Sequence, residues 1–299
     1  MTSAPEAQGF GAASFRSKLT ITIMLVMAVL TGLGLYLAQR HVGEEARRDF
    51  QQDFQAQLQS LHDLQNLRNR AVTDRCRVLV EKPRIHAALE DNAMDLLYPS
   101  AKDEMRDLMT GEEFGDETGS LLHARFYRFL GEHGTVLRPP NEADVGELDP
   151  KAETGLGLKQ LPETQHIGYL PRSTPSGDVI DEIIAAPILS TETGEVISAL
   201  VVGFKPFELP PTKSRSGLVS GIWVGGHLHI SSMATPAQQS LALKIGNAIG
   251  NSGALEGNIG TNVGGVNHLL FYNRINRDSV YPPAYEICLY PLGYYEGWK

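Results

Sequence analysis

The sequence predicts an α+β protein that an N-terminal helix anchors in a membrane, and three observations predict it. A long uncharged apolar run stands near the N-terminus. A stretch with helical periodicity and very little Gly or Pro follows it. From about residue 121 the period of the apolar residues changes to two, and hairpin signals appear. Because strands joined by hairpins pair antiparallel, we expect antiparallel sheets with the helices gathered on one face.

Length and composition fit one large domain or two small ones. The 299 residues are 42% hydrophobic and 20% charged, as in an ordinary globular protein. The formal net charge of −9 argues against a nucleic-acid partner, which would require a basic surface. The only cysteines, Cys76 and Cys288, form neither a disulfide framework nor a paired-cysteine zinc site, and a single bridge between them stays open.

The apolar run over residues 18–39 predicts a transmembrane helix. No residue between Lys18 and Arg40 is charged, and about 21 helical residues reach roughly 32 Å across a hydrocarbon core of about 30 Å. A cleaved signal peptide is the alternative, although its apolar core is usually only about 7–15 residues long. Basic residues flank the run on both sides, so the positive-inside rule does not decide its orientation, and we favour a cytoplasmic tail at 1–17.

Residues 40–120 predict a long helix and a helical cap. Apolar residues recur every three to five positions over 50–79, which makes one stripe on an amphipathic helix. The stripe can pack on the protein's own domain or against the same helix of a second copy, and both alternatives stand. Pro83 marks a break, a second helical stretch follows at 84–110, and the acidic, glycine-containing segment 111–120 predicts a loop.

The next part of the chain predicts two hairpins and a long connection. Two short strands flank Gly131–Gly134, and two longer strands meet at Thr193–Gly194. Between the hairpins, residues 139–178 contain six prolines and read mostly as connection, with a short strand near 166–170. The composition of residues 206–216 predicts a linker.

The last part predicts a second set of strands with one helix. A hairpin turns at Gly225–Gly226, since two-residue hairpin turns favour a Gly-Gly pair. A helix over 235–249 would have Thr235 as its N-cap and a proline at its first position. The glycine-rich residues 250–265 predict a flexible loop, since they lack the GKS or GKT ending of a phosphate-binding loop. Two final strands follow, over 268–275 and 284–292.

Three segments of this pattern carry a resemblance to a known family. They are LQNLRNRAVTDRCRVLVEKPRIHAALEDN, FYRFLGEHGTVL and IIAAPILSTETGEVISALVVGF. Together with the N-terminal span and the long helix, they resemble the extracytoplasmic double Cache sensor domains of bacterial transmembrane receptors, which are relatives of PAS domains. The resemblance covers residues 45–292 and implies two PAS-like modules, each with an antiparallel sheet.

The resemblance also implies a division of the chain. The segments are a cytoplasmic tail at 1–17, a transmembrane helix at 18–39, the long helix and helical cap at 40–120, a membrane-distal module at 121–205, a linker at 206–216, a membrane-proximal module at 217–292 and a tail at 293–299. In such receptors a second transmembrane helix and an output domain usually follow the sensor. This sequence stops at YYEGWK, so we expect either the input part of a receptor that lacks its output domain or an anchored sensor that acts through a partner.

The function implied is that of a sensor rather than an enzyme. We expect a single-pass inner-membrane protein, with its domain in the periplasm or outside, that binds a small molecule, needs no cofactor and dimerises through the stalk helix. The amino-acid-binding pattern of one double Cache group is absent, so the ligand class stays open. The alternatives are an envelope structural or assembly protein and an anchored enzyme.

Polar residues inside apolar strands are the candidate ligand-binding residues. They are Arg128, Tyr169, Asp181 and Glu182. We expect the site in the membrane-distal module, between its sheet and the long helix, because the long connection 139–178 can act as a binding lid. The alternative for each residue is a position on the exposed face, since side chains alternate between the two faces of a sheet.

No pattern predicts catalysis or metal binding. His227 and His229 share one face of a strand, but no acidic or cysteine ligand stands near them in the sequence, and a solvated hairpin face explains them. The nucleophile pattern GxSxG is absent. We therefore predict no catalytic and no metal-ligating residue.

Overall fold

The computed structural model describes residues 12–110, 122–174, 177–207 and 217–292. The chain divides into two compact units, Met1–Ser60 and Leu61–Lys299. The predicted loop at 111–120 and the tail at 293–299 lie outside the described residues, as does most of the predicted linker.

Helix α1 runs from Ala12 to Val80. It joins the predicted anchor and the predicted long helix in one element, and it also contains residues 12–17, which we assigned to the tail. Over 19–36, large apolar side chains such as Met24 and Leu25 are exposed. In the part of the chain that the structure describes, no helix is both long and apolar enough to cross a membrane.

Two helices follow α1 where the sequence predicted one. Helix α2 spans Pro83–Glu90 and helix α3 spans Met94–Thr110. The predicted break at Pro83 is confirmed, and this proline begins α2, where the missing N–H is not needed. The second break was not predicted. It occurs because Asn92 adopts a left-handed conformation (φ 52°), which a continuous helix cannot contain.

The first sheet has five antiparallel strands. They are β1 (Ala124–Leu130), β2 (Val136–Leu137), β3 (His166–Thr174), β4 (Gly177–Leu189) and β5 (Val196–Phe204). Their order in the sheet is β2-β1-β5-β4-β3. The two predicted hairpins, β1–β2 and β4–β5, are confirmed.

Both faces of the first sheet are covered. One face packs on helices α1, α2 and α3 through residues such as Val72, Leu97 and Val202. The other face packs on the connection between β2 and β3, through residues such as Leu156 and Val201. A strand that is buried on both sides has no solvent side to fill with polar residues, so β4 and β5 are nearly continuous apolar runs.

The connection between β2 and β3 is more ordered than the sequence predicted. A short 3-10 turn at Glu142–Asp144 precedes helix α4, which spans Pro150–Leu156. The side chain of Asp149 accepts hydrogen bonds from the backbone N–H groups of Lys151 and Ala152, which caps α4. Because α4 packs against the sheet, this connection is a fixed cover of the core.

The second sheet repeats the order of the first. Its strands are β6 (Val219–Val224), β7 (His227–His229), β8 (Glu256–Val263), β9 (Val266–Arg274) and β10 (Ala284–Pro291). They lie in the order β7-β6-β10-β9-β8, and all pairs are antiparallel. If the strands of each sheet are numbered from one to five along the chain, both sheets have the order 2-1-5-4-3. The α+β class with two antiparallel sheets is confirmed. The domain boundaries proposed above stay a prediction.

Helix α5, over Thr235–Ser252, packs on one face of the second sheet. The predicted N-cap, Thr235, was wrong: the N-cap is Ala234, which has no capping side chain. The side chain of Gln238 stabilises the start of the helix instead, because it forms hydrogen bonds with the backbone of Ile230 and Met233. The predicted loop at 250–265 was also wrong over Glu256–Val263, which forms strand β8.

The two sheets contact each other through a small apolar cluster and one inserted tyrosine. The cluster contains residues of β3, β4, β6 and β10, including Tyr169, Ile222 and Ala284. Tyr281, between β9 and β10, packs in the core on the second face of the first sheet. Its ring lies against Gly168, where an added Cβ would come within 3.0 Å of three Tyr281 atoms.

Candidate functional site

A cavity of about 470 Å³ lies where helix α1 meets both sheets. Four polar side chains of α1 line it, together with residues of β3 and β4 from the first sheet and of β6, β9 and β10 from the second. The residues that carry its chemistry are His62, Gln65, Tyr169, Glu182, Arg274 and Glu286. The size is in the usual range for a small-molecule site.

Glu182 brings a buried carboxylate to the cavity from the centre of β4. Its Oε2 accepts a hydrogen bond from Arg68 Nη1 of helix α1 at 2.8 Å, and both side chains are almost fully buried. Arg68 also donates to the backbone oxygen of Lys205. Burial raises the pKa of Glu182, and the nearby guanidinium only partly opposes this shift.

The second oxygen of Glu182 is left without a partner. Glu182 Oε1 is buried and accepts no hydrogen bond from any described residue. A buried carboxylate oxygen loses its hydration, which costs free energy unless a donor replaces the water. Because Glu182 lines the cavity, a bound molecule with a donor group can supply that hydrogen bond.

Glu286 brings a second buried carboxylate from the central strand of the other sheet. Its Oε2 lies 2.7 Å from His62 Nε2, and its Oε1 accepts a hydrogen bond from Gln65 Nε2 at 2.7 Å. Both partners stand on helix α1, one turn apart. The hydrogen bond with Glu286 raises the pKa of His62, against the lowering effect of burial.

Arg274 contributes an unused donor to the same cavity. Its Nε is buried and has no hydrogen-bond acceptor among the residues that the structure describes. Tyr169 completes the wall beside Glu182, and burial raises the pKa of its hydroxyl well above the usual value. Among the described residues that line the cavity, Glu182 therefore has one buried acceptor atom and Arg274 one buried donor atom without a partner.

The structure brings together two of the four sequence-predicted site residues. Tyr169 and Glu182 line the cavity, whereas Arg128 and Asp181 do not. Asp181 accepts hydrogen bonds from Arg125 Nη1 at 2.6 Å and from Arg172 Nε at 2.8 Å, so both of its oxygens have partners.

Arg128 has no exposed surface and lies on the opposite face of the first sheet from Tyr127 and Phe129. Its Nε donates to Glu153 at 2.7 Å, and its other two nitrogen atoms donate to the backbone oxygens of Tyr127, Val145 and Gly146. This side chain holds the β2–β3 connection on the sheet. We therefore leave Arg128 and Asp181 out of the proposed site.

The cavity also differs in place from the predicted site. We expected a site within the first module, between its sheet and the long helix, with the connection 139–178 as a binding lid. The lining instead combines both sheets with helix α1, and the connection is packed on the other face of the first sheet.

The histidines and cysteines considered as metal ligands or as a disulfide pair have contacts that do not form such a site in the described part of the chain. His227 Nδ1 lies 3.7 Å from a carboxylate oxygen of Asp178, and His229 contacts the backbone oxygen of the same residue. Among the described residues, no group of three or more His, Cys, Asp or Glu side chains could hold a metal ion. Cys76 and Cys288 are both free and buried, so the open disulfide is not formed. Burial raises the pKa of Cys76 to about 12.

Sequence reasoning missed Glu286, His62 and Gln65. Glu286 carries the same signal as Glu182, a single acidic residue within an apolar strand, and that signal could have found it. His62 and Gln65 lie on a helix rich in polar residues, where nothing local separates them from their neighbours. They become part of the cavity because α1 packs near β10, where both contact Glu286, more than 200 residues later in the sequence.

Comparisons with known proteins concern the fold. The structure is similar to the extracellular domain of the histidine kinase vpHK1S-Z8, with a TM-score of 0.43, 12% sequence identity, and 80% of this chain and 92% of that chain covered. It is similar to the sensor domain of the histidine kinase DctB from V. cholerae, with a TM-score of 0.41, 10% identity, and 79% and 96% covered.

A third similar structure is the sensory domain of the Campylobacter jejuni chemoreceptor Tlp3, solved with isoleucine bound. Its TM-score is 0.39 at 11% identity, with 81% of this chain and 95% of that chain covered. The first is named as an extracellular domain and the other two as sensor or sensory domains. At these scores the likeness is one of general architecture. No protein-family model and no curated protein matches the sequence.

Proposed function

We propose that this chain is the ligand-binding input part of an extracytoplasmic sensor and acts by binding rather than by catalysis. The observation that carries the proposal is the cavity between α1 and the two sheets, with the buried, unpartnered Oε1 of Glu182 in its wall. An occupant contacts three elements at once. It can therefore favour one packing of the helix over another, which is what a signal requires.

The ligand is a small molecule with both a donor and an acceptor group. A protonated amine would satisfy Glu182 Oε1, and a carboxylate or carbonyl oxygen would satisfy Arg274 Nε. Ile167 and Ile222 supply apolar wall in the same cavity. Amino acids, such as the isoleucine bound to Tlp3, combine the two groups and are the first compounds to test.

We also propose that residues 18–39 anchor the chain in the inner membrane by a single pass, with residues 61–292 on the periplasmic or outer side. The uncharged run between Lys18 and Arg40 supports this. So does the exposure of large apolar side chains along it, among them Ile21 and Leu30, because a lipid environment is what such a surface fits.

A homodimer through helix α1 is the proposed assembly. Leu64 and Leu67 belong to the predicted apolar stripe, yet they are 45% and 68% exposed, while Leu61 and Val72 are buried. The stripe is therefore used for internal packing at some positions and left open at others. A second α1 helix would cover the open leucines.

The experiment is a binding screen on the full chain in lipid nanodiscs. Thermal shift with amino acids, simple amines and simple carboxylates should find compounds that carry both groups, and calorimetry then gives their affinity. Glu182→Gln removes the charge that accepts from the amine, so we expect affinity to fall by about 10- to 100-fold. Glu192→Gln, in the exposed β4–β5 turn, is the matched control and should bind as the wild type does.

Two outcomes would contradict the proposal. One is that no compound of the three classes shifts the melting temperature, which would favour a structural role in the envelope. The other is that a ligand binds with equal affinity to the wild type and to Glu182→Gln. Circular dichroism of each variant separates lost binding from lost folding.

A further inference from the structure

The contact between Glu286 and helix α1 combines a buried acid with a titratable partner. Glu286 is 3% exposed and stands on β10, between β6 and β9. Its two oxygens face α1, where His62 and Gln65 each reach one of them at 2.7 Å. The side chain of His62 is 32% exposed, so its protons can exchange with water.

The charge of this contact depends on His62. Gln65 is always a neutral donor, so a neutral His62 leaves the buried carboxylate with no cation directly bonded to it. A protonated His62 supplies the opposite charge, so that a Coulombic attraction is added to the hydrogen bond at a largely buried site, where water screens it little. The other charged or titratable groups near the contact come from every element around it. They are Asp63 and Arg68 on α1, Tyr169 and Glu182 on the first sheet, Arg274 and Cys288 on the second sheet, and Arg277 and Asp278 in the connection between β9 and β10.

We propose that His62 and Glu286 form a proton-controlled latch that fastens helix α1 to the second sheet, closed when His62 is protonated and loosened when it is neutral. The latch residues line the candidate ligand cavity, so the latch would set how firmly the helical wall of the cavity is held. Only this last consequence rests on the proposed function; the latch itself does not.

The direction of the pH effect follows from the pKa shift of His62. The bond to Glu286 raises this pKa in the folded protein above its ordinary value of 6.5. A group with a raised folded-state pKa contributes its full stabilisation below the unfolded value and loses it as the pH rises through the folded value. The latch should therefore hold fully below the ordinary pKa of 6.5 and loosen as the pH rises through the raised pKa of His62.

Hydrogen exchange measured by mass spectrometry tests the latch on the full chain in nanodiscs, without any ligand. After correction for intrinsic exchange rates, we expect protection of the amides at 57–69 to fall about tenfold between about pH 6 and about pH 8.5. In the His62→Gln variant the side chain is a neutral donor at both pH values. The protection of the amides at 57–69 in this variant should therefore be the same at both pH values. His133→Gln alters an exposed histidine of the β1–β2 turn and should keep the wild-type response.

A second variant guards against a folding defect in the first. Glu286→Gln removes the negative charge that pairs with protonated His62. It should abolish the pH response just as His62→Gln does. The latch is wrong if the wild type shows no pH response at 57–69, or if either variant keeps the wild-type response. A failed ligand screen would leave these results unaffected, and a pH-insensitive helix would leave ligand binding unaffected, so the two proposals fail separately.

Discussion

Arg128 shows how a single side chain can organise a segment that lacks regular structure. It is fully buried, and its partners include three backbone oxygens, those of Tyr127, Val145 and Gly146, of which the last two belong to the β2–β3 connection. A backbone oxygen inside a protein must find a donor, because leaving it unpaired costs free energy. The planar guanidinium has five N–H groups in a fixed fork geometry, more donors than any other side chain, and so it reaches several acceptors at once.

Arg128→Lys should therefore destabilise the protein even though the charge is kept. We expect the free energy of unfolding to fall by about 3 kcal/mol, because a lysine cannot serve Glu153 and the three carbonyls together. Urea denaturation of the full chain, followed by circular dichroism, measures the difference.

Arg138→Lys, at an exposed position, is the matched control and should stay within about 0.5 kcal/mol of the wild type. A change of similar size in both variants would contradict the structural role of Arg128.

The candidate residues could be predicted from the sequence only in part. The signal used was a polar residue inside an apolar strand, and it selected Glu182 and Tyr169, which line the cavity. The same signal selected Arg128 and Asp181, whose partners Glu153 and Arg172 lie nearby and satisfy them. What separates the two groups is whether every polar atom has a protein partner. That depends on contacts between distant segments, which local sequence does not contain.

At the scale of elements, the hairpin turns were predicted from local signals, whereas strand β8 and the helix break at Asn92 were not. The hairpins at Thr193–Gly194 and Gly225–Gly226 were predicted from their turns and are confirmed. Strand β8 was missed because its glycines resemble a loop. Gly257 is paired with Tyr272, and an added Cβ at Gly257 would overlap the tyrosine ring. This glycine makes room for a cross-strand aromatic residue, which composition alone does not reveal.

The contact of Tyr281 with Gly168 allows a test of the coupling between the two sheets. We expect Gly168→Ala to cost about 2 kcal/mol of unfolding free energy, because the methyl group displaces the tyrosine ring from a packed core. In a Tyr281→Ala background the same substitution should cost less than about 0.5 kcal/mol, because the ring is gone. Urea denaturation of the wild type, both single variants and the double variant completes the cycle.

Gly260→Ala provides the control for this cycle. Gly260 is also a strand residue, and an added Cβ there meets no atom within 4 Å. This substitution should be nearly neutral in either background. Equal costs for Gly168→Ala with and without Tyr281 would show that the glycine is needed for another reason.

The anchor is a property of the whole molecule and is tested on the whole chain. We expect the expressed protein to remain in the membrane fraction after a carbonate wash and to be released by detergent. Replacing Leu25 and Leu30 together by Arg should release it, since each arginine at the centre of a span costs about 2.5–3.5 kcal/mol.

Leu243→Arg, at an exposed position on helix α5, is the control and should stay in the membrane. Recovery of the wild type in the soluble fraction would contradict the anchor.

The place of Tyr281 in the chain has a consequence for synthesis. The strands of the first sheet are complete at Phe204, but the ring that fills its second face belongs to a residue after β9. Chains are made from the N-terminus, and domains generally fold in that order. The first half therefore leaves the ribosome with an uncovered apolar recess beside Gly168. We expect nascent chains that end before residue 281 to engage chaperones through this recess and to be released when Tyr281 arrives.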